Sequence, residues 1–193
     1  DTVTKVYRIP NNYTDAQHLV DSVWMEFTNI DTDVVRSVVV DDAFDRYYWA
    51  APNTVPKYNT KARITAGNAG FTLGVPQPPK PSLAIVGGGS ATQRSSAYVL
   101  TYVSAYGEEG PPSDPVDGTG KVDASWNLAW TAADPNDLGV TRNLTLVRIY
   151  RTVTALDGTT TYFYEEEKPI ATVSYSDTKT DAQVSLNELL SST

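Results

Sequence analysis

The chain has 193 residues, 40% of them hydrophobic, with 4 Trp and 12 Tyr, a globular composition and not that of a disordered segment. Its 15 basic against 23 acidic side chains leave a formal net charge of −8, so most of the surface would repel a phosphate backbone or an anionic membrane. With no Cys there is no disulfide and no thiolate metal site, and no apolar run approaches the roughly 18 residues that span a bilayer.

Neither nucleic acid nor a membrane span is therefore expected, and no cofactor is implied. The chain begins at Asp1 instead of Met, which reads as a processed chain or a segment of a longer one. Twelve Gly and twelve Pro, spread along the chain, punctuate many short segments and point to an all-β architecture.

Residues 3–9 form a first strand, ended by Pro10. Thr14 with Gln17 fits a helix N-cap. Leu19 to Thr28, which carries Trp24, reads as a second strand, Val34 to Val40 as a third and Ala43 to Ala50 as a fourth. Asp41-Asp42 is the tight link between the last two, which predicts antiparallel pairing. Asn53 to Pro56 is a turn, and two weaker strands follow near Ala62–Thr65 and Phe71–Val75. Prolines at 76, 78, 79 and 81 impose an extended, semi-rigid run. The expected organisation is a β-rich segment at 1–75, a linker at 76–81 and a second domain at 82–193. The first segment would be a small sheet or a propeller-like blade.

In the second domain Ser82–Val86 is a short strand and Gly87 to Gln93 a flexible loop. Residues 97–106 alternate, with Val99, Thr101, Val103 and Ala105 on one face and Tyr98, Leu100, Tyr102, Ser104 and Tyr106 on the other. Both faces are largely apolar, so cover is expected on both. Gly107 and Gly110 bracket a turn with Glu108 and Glu109, and Val116 to Lys121 reads as a Gly-rich turn. Asp123 to Thr131 is a strand that sends Trp126, Leu128 and Trp130 to the core. Leu144 to Val153 and Tyr162–Glu166 are strands joined through the Asp157-Gly158 hairpin signal. Thr172 to Thr178 is a further strand, and Asn187 to Leu190 fits one helical turn.

Several of these stretches resemble known families. Val103-Ser-Ala-Tyr-Gly-Glu-Glu-Gly-Pro-Pro-Ser113 is similar to the late strand and exit turn of a fibronectin type III module. The Trp strand resembles that module's early strand, Arg148-Ile-Tyr-Arg151 its "Tyr-Arg" strand, and Ser174-Tyr-Ser-Asp177 a short later strand. The resemblance implies a β-sandwich. The order departs from it, because the Tyr-rich strand precedes the Trp strand, and Val99 stands where such modules carry a tyrosine. A circularly permuted sandwich accounts for this, the alternative being two incomplete modules that share strands. Within residues 20–80, Asp33-Val-Val-Arg-Ser37 and Asp45-Arg-Tyr-Tyr-Trp49 resemble segments of tailed-bacteriophage virion structural proteins of the tail nozzle or neck.

Groups able to do chemistry are few. His18 is the sole histidine and sits in a polar stretch, with no nucleophile motif to complete a triad. Asp41, Asp42, Asp45, Glu108, Glu109, Glu165, Glu166 and Glu167 could act as paired carboxylates across a cleft, but read as turn residues and solvated strand edges. Asp134, Asn136 and Asp137 lack the Gly and distal Glu of an EF-hand and read as a turn. Gly87 to Ser90 lacks the lysine of a phosphate loop. Asn12-Tyr-Thr14 and Asn143-Leu-Thr145 match the glycosylation triplet, which carries no meaning in a bacterial host.

The phage resemblance implies a non-enzymatic component of the virion, in the tail or neck, whose partners are other phage structural proteins and copies of itself in a ring. Trp24, Tyr47, Tyr48, Trp49, Tyr98, Tyr102 and Tyr106 are the expected interface residues. The alternative is a surface module that binds a host glycan or receptor through exposed aromatics such as Trp49, on a fibre or beside a carbohydrate enzyme.

Overall fold

The computed structural model describes residues 2–9, 23–134, 137–138, 141–154 and 160–190. His18, the Thr14–Gln17 cap, the Asn12 triplet, Asn136 and the Asp157-Gly158 turn lie outside the described residues. Strand makes up 48% and helix 6%, so the protein is all-β, as its composition predicts. The chain divides into two compact units, Asp1–Leu73 with Val140–Arg142, and Gly74–Gly139 with Asn143–Thr193.

The first unit holds two antiparallel sheets. Strands β1 (Lys5–Ile9) and β2 (Val23–Phe27) pair from Lys5↔Phe27 to Ile9↔Val23. Period-two alternation turns Tyr7, Ile9, Val23, Met25 and Phe27 inward. The second sheet runs β3 (Asp33–Arg36), β4 (Arg46–Ala50), β5 (Lys57–Thr60), β6 (Phe71–Thr72). Val34, Tyr47 and Trp49 pack on the β1–β2 residues, with Tyr7 edge-on to Tyr47 at 6.3 Å and Phe27 tilted on Trp49 at 6.2 Å. On the opposite face Tyr58 sits between Tyr48, at 5.9 Å, and Phe71, at 5.7 Å.

Three expectations for this unit change. Residues 61–65 are helical (α1, Lys61–Thr65): the Thr60 side chain accepts from the Arg63 N–H and caps the first turn, a local bond that outweighs the β-branched residues. Lys57–Thr60, passed over as strand, joins the sheet between β4 and β6. The third strand stops at Arg36, because Asp42 gathers the following loop. Its carboxylate accepts from the Phe44 and Arg46 N–H groups and from Arg46 Nε at 3.0 Å, and Asp41 and Asp45 take positive φ.

The second unit is an antiparallel β-sandwich. One sheet is β13 (Ser174–Asp177), β10 (Ser125–Ala129), β7 (Ser82–Val86). The other is β12 (Thr160–Pro169), β11 (Leu144–Thr154), β8 (Gln93–Ser104), β9 (Val116–Lys121). Their inner faces meet in one core, where Tyr98, Leu100 and Tyr102 of β8 and Val147 and Ile149 of β11 oppose Trp126 and Leu128 of β10. The Tyr-rich and Trp strands thus face one hydrophobic layer, although their sequence order is inverted. Strand β7, earlier than both, lies in the same sheet as the Trp strand and pairs with β10.

Strand β9 replaces the expected Gly-rich turn. A Cβ at Gly118 would stand 2.9 Å from Leu83 and Ile85, and one at Gly120 2.6 Å from Ile85, so the glycines let β7 side chains lie directly on the β9 backbone. The expected helical turn at 187–190 is also corrected. Residues 188–190 run beside the β12 edge, with Tyr164 N–H on Glu188 O and Leu190 N–H on Tyr162 O. The helix comes earlier, as α2 (Asp181–Val184), where Thr180 and Gln183 form a reciprocal capping box. The outer face of β8 is covered as its apolar character requires, Val99, Thr101 and Val103 all being buried.

Candidate functional site

The charged residues singled out from the sequence are engaged locally. Asp45 pairs with Arg36 at 2.7 Å. Glu109 folds onto the outer face of the four-stranded sheet, accepting from Thr101 Oγ1 at 2.5 Å, Tyr150 Oη at 2.7 Å and Arg148 Nη1 at 2.8 Å. Glu167 takes Arg148 Nε at 2.9 Å, and Glu166 meets Lys179 at 3.3 Å. The Asp137 N–H donates to Asp134 O, and no three acidic or histidine side chains converge as a metal site among the described residues.

The densest chemistry lies inside the second unit. Asp177 accepts from Arg94 Nη2 at 2.9 Å, Arg151 Nη1 at 2.8 Å and Tyr98 Oη at 2.6 Å. Arg151 also donates to the carbonyls of Lys179 and Thr180 and pairs with Asp181 at 3.2 Å. The Arg94 guanidinium stacks 4.4 Å over the Trp126 ring. Burial opposes the Asp177 charge, but these donors outweigh it and hold its carboxyl below the usual range. Glu165 is fully buried beside them, with Tyr175 Oη donating at 2.9 Å; burial and the Asp177 charge push it up to about 7. The cluster is a structural ion network, since each cation is surrounded by its own anions and carbonyls.

The expected interface residues fall into two groups. Tyr47, Tyr98 and Tyr102 are core residues, at 3%, 0% and 3% exposure, and so present no contact surface. Alternation placed them on the faces that the sheets turn inward. Tyr48, Trp49 and Tyr106 are half-buried, and Trp24 projects from the outer face of β2. Trp49 borders a hollow of about 250 Å³ with Phe27, Thr32 and Val55. Sequence reasoning missed the most exposed apolar group, the loop Val38-Val39-Val40, at 95%, 58% and 87% exposure. Three successive β-branched residues read as strand, and only the Asp41-Asp42 turn signal beside them pointed to a loop tip. Ile30, Val35 and Phe44 are exposed as well.

Fold and surface together define an all-β protein with an antiparallel sandwich and an exposed apolar loop. No protein family's model matches the chain, and no curated protein or solved structure is significantly similar to it. None of the described helices is long and apolar enough to cross a membrane.

Proposed function

We propose that this chain is a structural protein of a tailed-phage particle, of tail or neck type, that works by assembling with copies of itself and with other virion proteins. The observation that carries the assembly reading is the exposed Val38–Val40 loop. Contiguous exposed apolar surface is characteristic of protein-binding sites. The knob it forms and the Trp49 hollow are different surfaces of the first unit. A knob on one copy that enters the hollow of the next is a heterologous contact, which closes into a ring when the rotation between copies divides a full turn. The phage assignment rests on the resemblance of Asp33–Ser37 and Asp45–Trp49 to virion proteins.

The absence of native cysteine makes the contact directly testable. A Val39→Cys, Val55→Cys double variant, oxidised in dilute solution, is expected to give a ladder of covalent multimers, while each single variant gives none beyond a dimer. A double variant that stays monomeric under oxidation, with a wild-type chain that sediments as a monomer at high concentration, would refute the assembly. Gold-labelled antibody to the chain is expected to mark one end of purified tailed particles; unlabelled particles refute the virion assignment.

A further inference from the structure

The four-stranded sheet of the second unit has an outer face that the assembly reading does not use. The β8–β11 ladder ends at Arg151↔Tyr98, yet β8 runs back to Gln93 and β11 on to Thr154. At that point the Ala97 N–H donates to the Thr152 hydroxyl, at 2.8 Å, instead of to a β11 carbonyl. The β8–β9 and β11–β12 pairs part there, and a trough of about 470 Å³ opens between them.

The lining follows from the register. Ala97 pairs with Asp117 and Thr152 with Tyr162, so Asp117 and Tyr162 stand on either side of two short residues. Ser95 pairs with Thr119, their hydroxyls 2.7 Å apart, and Thr160 lies on the β12 side. Small side chains make the floor, a phenol ring makes one wall, and hydroxyls with one carboxylate make the other. Burial and the facing Asp117 charge push the Tyr162 phenol up.

We propose that this trough is a binding site for a neutral oligosaccharide. A sugar ring offers two features at once: a C–H face that packs on an aromatic ring, and hydroxyls that need both acceptors and donors at the ring's edge. Tyr162 supplies the first, and Asp117, Ser95, Thr119 and Thr160 the second. Asp117 is the only charged residue among the described lining residues, so an anionic ligand is repelled there and a neutral polyol is favoured. The trough belongs to the second unit and Trp49 to the first.

The test is a titration of the isotope-labelled full chain, followed by amide NMR, with cellohexaose, maltohexaose, mannohexaose and chitohexaose in turn. At least one sugar is expected to shift amides at 95–97, 117–119, 152 and 160–162. Tyr162→Phe retains the binding, Tyr162→Ala abolishes it, and Asp117→Ala weakens it about tenfold or more. The Trp126 indole resonance, whose N–H donates to Lys121 O, reports that each variant is folded. No shift with any of the four at about 10 mM, or shifts centred elsewhere, overturns the proposal. Neither result bears on the cross-linking of the first unit, so the two readings fail independently.

Discussion

Arg151 Nη1 lies 2.8 Å from Asp177 Oδ2, with both side chains wholly removed from water. The pair joins the two sheets of the sandwich, since Arg151 belongs to β11 and Asp177 to β13. Such a pair is costly to desolvate, and its geometry is worth most when every donor and acceptor around it is used. Here Asp177 also takes Arg94, Tyr98 and the Lys179 N–H, while Arg151 Nε meets Glu165 Oε2 only at 3.6 Å, beyond hydrogen-bond reach.

Removing the carboxylate therefore leaves two buried guanidinium groups without their shared anion. Asp177→Ala is expected to destabilise the second unit by about 3–5 kcal/mol. Denaturant unfolding followed by the Trp126 indole N–H resonance measures it, and a loss under about 1 kcal/mol would show the network to be ornamental.

Glu165 gives this unit a pH slope of opposite sign to ordinary acid denaturation. Its folded value, about 7, lies above the unfolded 4.5, so the folded state holds the proton more tightly. Stability is then greatest below pH 4.5 as far as this group is concerned, and declines as pH rises through about 7. Glu165→Gln is expected to flatten the decline and to raise stability at pH 8 by about 1–2 kcal/mol relative to wild type. Melting curves across pH 5 to about 8 read it; identical slopes in the two proteins would contradict the assignment.

Asp42 behaves in the conventional direction. Burial favours its neutral form, but bonds from Arg46 and the Phe44 N–H prevail and hold it at about 2, below its ordinary 3.8. The stabilisation is present above pH 3.8 and is lost as pH falls through about 2. Asp42→Ala is expected to cost the first unit about 1–2 kcal/mol at neutral pH and to shrink its sensitivity to acid between pH 4 and about 2. Hydrogen exchange of the Phe44 and Arg46 amides gives a local measure, rising in the variant.

At Gly120 the contact is steric. A methyl there meets Ile85 Cγ2 at 2.6 Å, so Gly120→Ala is expected to cost about 1–3 kcal/mol. Ile85→Ala alone creates a cavity, but in the double variant the new methyl occupies part of it, and the two losses sum to more than the double variant shows. Strict additivity would mean that the sheets do not touch at this point.

Much of the architecture was readable from residue pattern. The alternation of residues 97–106 called for cover on both faces, and that of Trp126, Leu128 and Trp130 for a core face, because an inward face is apolar wherever it lies in the sequence. Ser82–Val86 is a strand at the bounds expected from the sequence, with Leu83 and Ile85 turned toward the core. The misreadings share a cause as well. In both, a specific contact overrides residue type: the local cap from Thr60 turns Lys61–Thr65 into a helix, and the distant Leu83 and Ile85, lying on glycine, make Val116–Lys121 a strand. The trough has no sequence signature at all, because its residues come from four strands and become neighbours only through register.

Composition and periodicity by themselves determined that the chain is β-rich, acidic and built around alternating aromatic strands, since these are one-dimensional properties of side-chain size and polarity. Only the tertiary structure decided which aromatics are spent inside, as with Tyr98 and Tyr102, and which apolar side chains stay out, as with Val38 and Val40. It also decided that Arg94, Arg151, Glu165 and Asp177, far apart in the chain, share one buried cluster. Pairing of distant strands sets those neighbours, and a local pattern carries no record of which strand comes to lie alongside.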